Sequence, residues 1–300
     1  MGQKMNVHKT LDKLTVSIAA LASGKNKFFS RSIESTTFTE HLEGITLKIP
    51  DIYNKEKYEV VADTIVGQLD PAFLFVQWKG EEYPTIIYHH GNNERPFDFG
   101  RFSKNTFKNI FLSGNESVDA NLIVLRAPFH NFSLKQYQDK MTELSNFVAM
   151  LCVSVKLVEE LIFFINQKKN SSVIVSGISL GGWVTNLHRT YYNTADVYVP
   201  MLAGAALGDI FISSDYNKMA GKPAQENPER LRQILNFEDD FKKVKEDNVF
   251  PLLARYDQII QHERQKVCYV NHPINILEKG HITGALASYV LREHILKNMG

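Results

Sequence analysis

Ser172-Val-Ile-Val-Ser-Gly177-Ile-Ser179-Leu-Gly-Gly182 is the stretch on which the fold turns. Ser172 to Ser176 is a short apolar run of the kind a strand buried on both faces requires. The residues from Gly182 to about Tyr192 read as a helix. Between the two, Gly177-Ile-Ser179-Leu-Gly181 puts a serine at the turn, with a glycine two positions to either side. A G-x-S-x-G pattern alone is weak; a buried strand before it and a helix after it are the setting of a nucleophile elbow. A Cβ at either glycine would collide with the neighbouring strand or helix. The sharp turn lifts the serine Oγ clear of the sheet, beside a helix N-terminus whose N–H groups favour developing negative charge.

Working outward, the same alternation of strand and helix recurs. Tyr58–Leu69 and Ala72–Trp78 read as antiparallel strands joined by Asp70-Pro71. Tyr83–His90 is a third strand ending at Gly91, and Asn121–Ala127 a fourth ended by Pro128. A long helix is predicted from Ser133, its N-cap, to Lys168. Val197–Ala203, Val249–Ala254 and Ile274–Leu277 are further buried strands, and Gly284–Lys297 a closing helix. Strands alternating with helices imply an α/β architecture, a mostly parallel central sheet with helices on both faces. Between the strands at 197–203 and 249–254 lies a charge-rich segment, about 209–248, with Gly221-Lys-Pro223 and Glu226-Asn-Pro228 inside it. It exceeds an ordinary connection and is read as a small helical cap over the active-site edge, against the alternative of a surface excursion.

Bulk composition narrows the partners. The net charge of +1 gives no field that would draw the chain to nucleic acid or an anionic surface. Basic stretches such as Lys242-Lys243-Val244-Lys245 sit beside acidic ones and read as solvated helix faces. Cys152 and Cys268 make neither a disulfide framework nor a zinc spacing, which fits a reducing, cytoplasmic setting. No run reaches the roughly 20 apolar residues a membrane span needs. Lys4, Lys9 and Lys13 precede the run Leu14–Ala22, which faintly resembles a signal peptide. That run is short and interrupted by Thr15 and Ser17, whereas Leu11, Leu14, Ile18 and Leu21 fall on one helical stripe. An amphipathic helix packing on that stripe is the expectation.

A serine hydroxyl needs a base to take its proton. Of ten histidines, His281 follows a strand near the chain's end, in Glu278-Lys-Gly-His281-Ile, before the last helix. His272 starts that strand and so belongs to the opposite sheet edge, and His188 lies too far along the helix after the elbow. His8, His41, His262 and His294 are read as peripheral. The acid that orients the base is assigned to Asp257, directly after the strand 249–254, with Asp209 as the second candidate. The order Ser179, Asp257, His281 is the serine–acid–histidine order of this architecture. The backbone N–H of Leu180 and that of Asn92, in His89-His90-Gly91-Asn92-Asn93-Glu94, are assigned to an oxyanion hole, with Asn93 next in line. Adjacent His89 and His90 lack partners at metal-ligand spacing, so no metal is expected.

From about residue 58 to the end, the chain resembles the α/β-hydrolase superfamily in strand order, elbow, HG loop and triad order. The resemblance implies an eight-stranded, mostly parallel sheet and two-step acyl transfer without a cofactor. It puts Ser179 at the elbow serine, Asp257 at the acid, His281 at the base and His90-Gly91-Asn92 at the oxyanion loop. That loop is not of the HGGG form found in the lipase and hormone-sensitive-lipase-like branches. Residues 1–57 have no counterpart and are set apart as a helical and irregular extension before a catalytic domain at 58–300. The expected activity is esterase-like hydrolysis of a small-molecule acyl substrate. A non-catalytic binding protein and an acyltransferase with the same triad are the alternatives. Phe211, Tyr216, Met219 and Phe237 of the cap, with Phe97, Phe99 and Phe129 at the mouth, are candidates to line an apolar pocket.

Overall fold

The computed structural model describes residues 6–52, 56–114, 117–167 and 171–299. Lys4, the predicted helix end at Lys168, Gly300, and residues 1–5 and 53–55 of the N-terminal extension lie outside them. The strands are β1 (Thr46–Lys48), β2 (Lys57–Glu59), β3 (Val61–Thr64), β4 (Gly67–Leu69), β5 (Ala72–Gln77), β6 (Thr85–His89), β7 (Asn121–Arg126), β8 (Val173–Ile178), β9 (Val197–Met201), β10 (Leu252–Ala254) and β11 (Asn275–Leu277). The first helices are α1 (Val7–Ser23), α2 (Phe38–Glu43), α3 (Leu134–Lys140), α4 (Leu144–Asn166) and α5 (Leu180–Tyr191). Short helices α6 (Gly208–Ile212), α7 (Lys222–Glu226), α8 (Pro228–Leu235) and α9 (Glu238–Phe241), with a 3-10 turn at Asp215–Met219, fill the segment between β9 and β10. The chain closes with α10 (His262–Gln265), α11 (His281–Ala285) and α12 (Ser288–Leu296).

Eight strands form the central sheet in the order β11-β10-β9-β8-β6-β7-β5-β2. From β11 to β7 every pairing is parallel; β5 runs antiparallel to β7 and β2 antiparallel to β5. Successive side chains on a strand point to opposite faces, and the core divides accordingly. Ile87, Ile123 and Val175 pack on the face covered by α4 and α5, while Ile86, Leu122 and Ile174 pack on the other, where α12 lies. α4 is buried nearly all round, which explains its almost continuous apolar sequence. His89 of β6 sits opposite Gly177 of β8, and this register brings the loop after β6 out beside the elbow.

Several sequence expectations change in detail. Tyr58–Leu69 is not one strand: only its start pairs with β5, while β3 and β4 form a hairpin in a separate three-stranded sheet with β1. The helix predicted from Ser133 has the expected cap, with Ser133 and Gln136 closing a capping box, but it is two helices. The break is held from outside: Arg31 and Ser32 donate to the Thr142 carbonyl and Leu144 donates to that of Ser32, taking the bonds a continuous helix would use. The closing helix is likewise split into α11 and α12.

The largest correction concerns α1. The helix forms, but the stripe expected to pack it faces solvent, with Leu14 54%, Ile18 58% and Leu21 83% exposed. The buried face is the opposite one, with Asp12 at 0% and Val16 at 2%. That face lies on α11 and on the 3-10 turn at 215–219, and its small and polar residues are what allow the close approach. Among the described residues no helix is long and apolar enough to cross a membrane.

Candidate active site

Ser179 stands at the turn from β8 to α5 with φ +53° and ψ −109°, a conformation uncommon for a residue with a side chain. The glycines around it make the turn possible. A Cβ on Gly181 would lie 2.0 Å from the His89 carbonyl oxygen, and one on Gly177 would lie 2.4 Å from the backbone of Gly181. No other residue fits either position without moving backbone. The Ser179 N–H donates to the Met201 carbonyl at 2.9 Å, tying the turn to the end of β9.

His281 is the first residue of α11, not a loop residue. Its Nε2 is 3.1 Å from Ser179 Oγ, and its Nδ1 is 2.7 Å from Asp257 Oδ2. A carboxylate only accepts, so Nδ1 carries the proton and Nε2 is left to receive one from the serine. Asp257 is held in turn by the N–H groups of Ile259 and Ile260, both donating to Oδ1 at 2.8 and 2.7 Å. Burial lifts the Asp257 carboxyl above the usual aspartate value, and the bond from His281 opposes the rise. Burial also favours neutral His281, but the charge and hydrogen bond of Asp257, with the charge of Asp12, outweigh it, so its pKa lies above the ordinary histidine value. The three side chains thus form one hydrogen-bonded relay from Asp257 through His281 to Ser179, with Asp257 and His281 buried.

The alternatives fall elsewhere. Both Asp209 oxygens are engaged by arginines, Oδ1 with Arg232 at 2.8 Å and Oδ2 with Arg264 at 2.6 Å. His188 joins Glu159 and Tyr198, His272 joins Asp247, and His294 bonds the Phe250 carbonyl. His8 is not peripheral: its Nδ1 meets Thr283 Oγ1 at 2.9 Å, two residues from His281.

Asn92 and Leu180 line the cavity into which Ser179 opens. Leu180 starts α5, so its N–H belongs to the helix-end donors that lack an intrahelical acceptor. Asn92 is held by its side chain, whose Oδ1 accepts from Tyr137 at 2.6 Å and from the Asn93 N–H at 3.0 Å. The preceding turn is closed by Glu94, which accepts from the Gly91 and Thr106 N–H groups and is lifted by burial to about 7. Behind it His90 donates from Nδ1 to the Gly91 carbonyl and accepts the Ala127 N–H at Nε2; burial keeps its pKa well below the usual value. Sequence reasoning does not single out Tyr137 or Glu94. A tyrosine inside a helix and a glutamate in a loop carry no local mark of what they hold in place.

The cavity measures about 260 Å³ and is apolar apart from the groups just described. Phe28, Phe147, Trp183, Phe211, Tyr216 and Met219 line it, together with Thr15, Val16 and Ala19 of α1. Phe211, Tyr216 and Met219 are where the sequence places them; Phe237 is instead buried against Phe38 and Trp183. Phe97, Phe99 and Phe129 also lie off the lining: Phe97 stacks under Arg126, Phe99 on Phe107 and Phe129 on Phe132. The site thus combines a serine hydrogen-bonded to a histidine, an N–H at a helix start, and an apolar space beside them.

No family model matches the sequence, and no curated protein matches it by sequence. Solved structures do match the fold. Acylaminoacyl peptidase from Pyrococcus horikoshii aligns over 85% of this chain at 16% identity and TM-score 0.50; the chain spans 40% of that protein's length. Acetyl xylan esterase 1 from Thermoanaerobacterium sp. JW/SL YS485 aligns over 93% of this chain and 94% of its own at 15% identity and TM-score 0.50. Est1E from Butyrivibrio proteoclasticus aligns over 85% and 99% at 13% identity and TM-score 0.50. Together with the sheet order and the elbow, these likenesses lead to one conclusion: the chain has the α/β-hydrolase fold.

Proposed function

We propose that this protein is a serine hydrolase that cleaves an ester of a small apolar acyl group. The observation that carries the reading is the unbroken relay from Asp257 through His281 to Ser179, opening onto an apolar cavity. Ser179 Oγ attacks the acyl carbonyl as His281 Nε2 takes its proton. Asp257 holds the ring in the Nδ1–H form and stabilises the imidazolium. The N–H groups of Leu180 and Asn92 receive the oxyanion, and His281 returns the proton to the leaving alcohol. Water, deprotonated by the same nitrogen, then attacks the acyl carbonyl, and His281 passes that proton to Ser179 Oγ as the acid leaves. A purely ligand-binding protein would have no use for the complete relay. The acetyl xylan esterase of the same fold and comparable length makes an ester the first substrate class to test. No metal or cofactor enters these steps, and the two buried free thiols, Cys152 and Cys268, accord with a cytoplasmic setting.

The test is labelling with a fluorophosphonate, read by intact mass, on wild type and Ser179→Ala. One adduct on wild type and none on the variant is the expected result, and ester turnover by the variant falls by about 10⁴-fold or more. A well-folded wild type that takes no adduct would overturn the reading.

A further inference from the structure

We propose that Asp12, on the N-terminal helix α1, is a positioning residue that sets His281 and Asp257 relative to each other; this rests on the hydrolase reading above. Asp12 is fully buried, and its three hydrogen-bond donors all come from the far end of the chain. Oδ2 accepts the N–H of His281 at 2.8 Å and that of Gln258 at 3.1 Å, while Oδ1 accepts the N–H of Ile282 at 3.0 Å. One carboxylate therefore joins the residue after Asp257 to His281 itself.

Helix starts are commonly capped by the side chain of the residue just before them. At α11 that residue is Gly280, which has no side chain to offer. Asp12 supplies the missing acceptor from another helix. The glycine is what admits it: a Cβ on Gly280 would lie 2.8 Å from Asp12 Oδ2 and 2.9 Å from the His8 carbonyl oxygen. His8, one turn before Asp12, adds a second grip through Thr283 and lies parallel to the Tyr256 ring at 6.0 Å. α1 thus holds both segments that carry the relay.

The groups facing His281 are Asp257 from the loop after β10, Asp12 from α1 and Ser179 from the elbow; Glu94 lines the same cavity, and His8 bonds Thr283 two residues on. Of these, Asp257 and then Asp12 favour the charged imidazole. Removing the Asp12 charge alone should lower the pKa of His281, whereas a general loosening of α1 should not.

The experiment compares wild type, Asp12→Asn and Asn6→Ala. Asn6 caps α1 by accepting from His8 and Lys9 and touches neither the cavity nor His281. The His281 ring is titrated by NMR, and kcat and KM are measured across pH on p-nitrophenyl butyrate. For Asp12→Asn, the ring pKa and the acid limb of kcat/KM both move down by about half a unit. Its kcat falls about tenfold with KM held within about twofold. Asn6→Ala leaves both pH values in place. An unmoved ring pKa in Asp12→Asn, or an equal shift in Asn6→Ala, overturns the proposal. If Asp12→Asn does not fold, Gly280→Ala takes its place, with the same downward shift expected and an unmoved ring again decisive. Because the ring titration needs no turnover, a wild type inactive on esters would sink the hydrolase reading while still deciding the role of Asp12.

Discussion

The elbow at Gly177–Gly182 and the helix α1 both reach His281, one through Ser179 Oγ at 3.1 Å and the other through Asp12 Oδ2 at 2.8 Å. The elbow is local. Its glycines, serine and flanking apolar run lie within eleven residues, and each is required by atoms next to it in the chain or in the adjoining strand. α1 is the reverse case. Nothing near residue 12 in sequence says that its carboxylate is a cap, because the N–H groups it serves are 246 to 270 residues away. The apolar stripe on α1 points outward, although burying a leucine stabilises by about 1.5–3 kcal/mol. Leaving the buried His281 N–H without an acceptor would cost about 1–3 kcal/mol, and the partly buried N–H groups of Gln258 and Ile282 would add to it. Hydrogen-bond demand at the relay, with a close small-residue approach, decides which face turns inward. Chemistry written in neighbouring residues is legible; chemistry assembled across the fold is not.

Substitutions can test the contrast from both sides. The largest effect is expected at the relay: Asp257→Asn should reduce kcat by about 10³–10⁴-fold while the protein still folds, because the ring loses its fixed tautomer. Steady-state kinetics on any ester the wild type turns over checks this, and a loss under tenfold would mean that the relay is not the reacting group. A smaller but still severe effect belongs to the elbow backbone. Gly181→Ala places a Cβ 2.0 Å from the His89 carbonyl oxygen and should destabilise by about 3 kcal/mol or more, read in a urea melt. A near-normal midpoint would show that β6 and α5 can separate and that the elbow is less constrained than its glycines indicate. The smallest effect is predicted on the outer face of α1. Leu21→Gln, at a side chain 83% exposed, should change stability by less than about 0.5 kcal/mol. A loss of about 2 kcal/mol would restore the packing stripe that the sequence suggests and the structure turns outward.

Particular residues show what place in the chain can and cannot indicate. Ser179, His281 and Asp257 stand out by their places at strand ends, and the structure brings His281 within hydrogen-bond distance of the other two. The parallel sheet makes that possible, since the carboxyl ends of its strands share one edge. Asp209 meets the same criterion of place; only its two arginines remove it. Phe211, Tyr216 and Met219 turn towards the cavity while Phe237 turns away. All four are large and apolar in character, so the direction depends on helix placements within the segment that no local pattern encodes. The break at Met141–Glu143 has no glycine or proline to announce it; it exists because residues 31 and 32 occupy the backbone bonds there.

The sequence alone carries the strand–turn–helix around Ser179, the alternating elements that build a parallel sheet, and the chain order in which Ser179, Asp257 and His281 follow strand ends. These follow from periodicity, from glycine where a Cβ cannot fit, and from topology that leaves few arrangements open. The tertiary structure alone decided that Asp12 caps α11, that Tyr137 holds Asn92, and that α1 turns its small and polar face to the site. Each of these depends on unsatisfied donors and acceptors from distant segments meeting in a water-poor space, where an unpaired group is costly and its partner can come from anywhere in the chain.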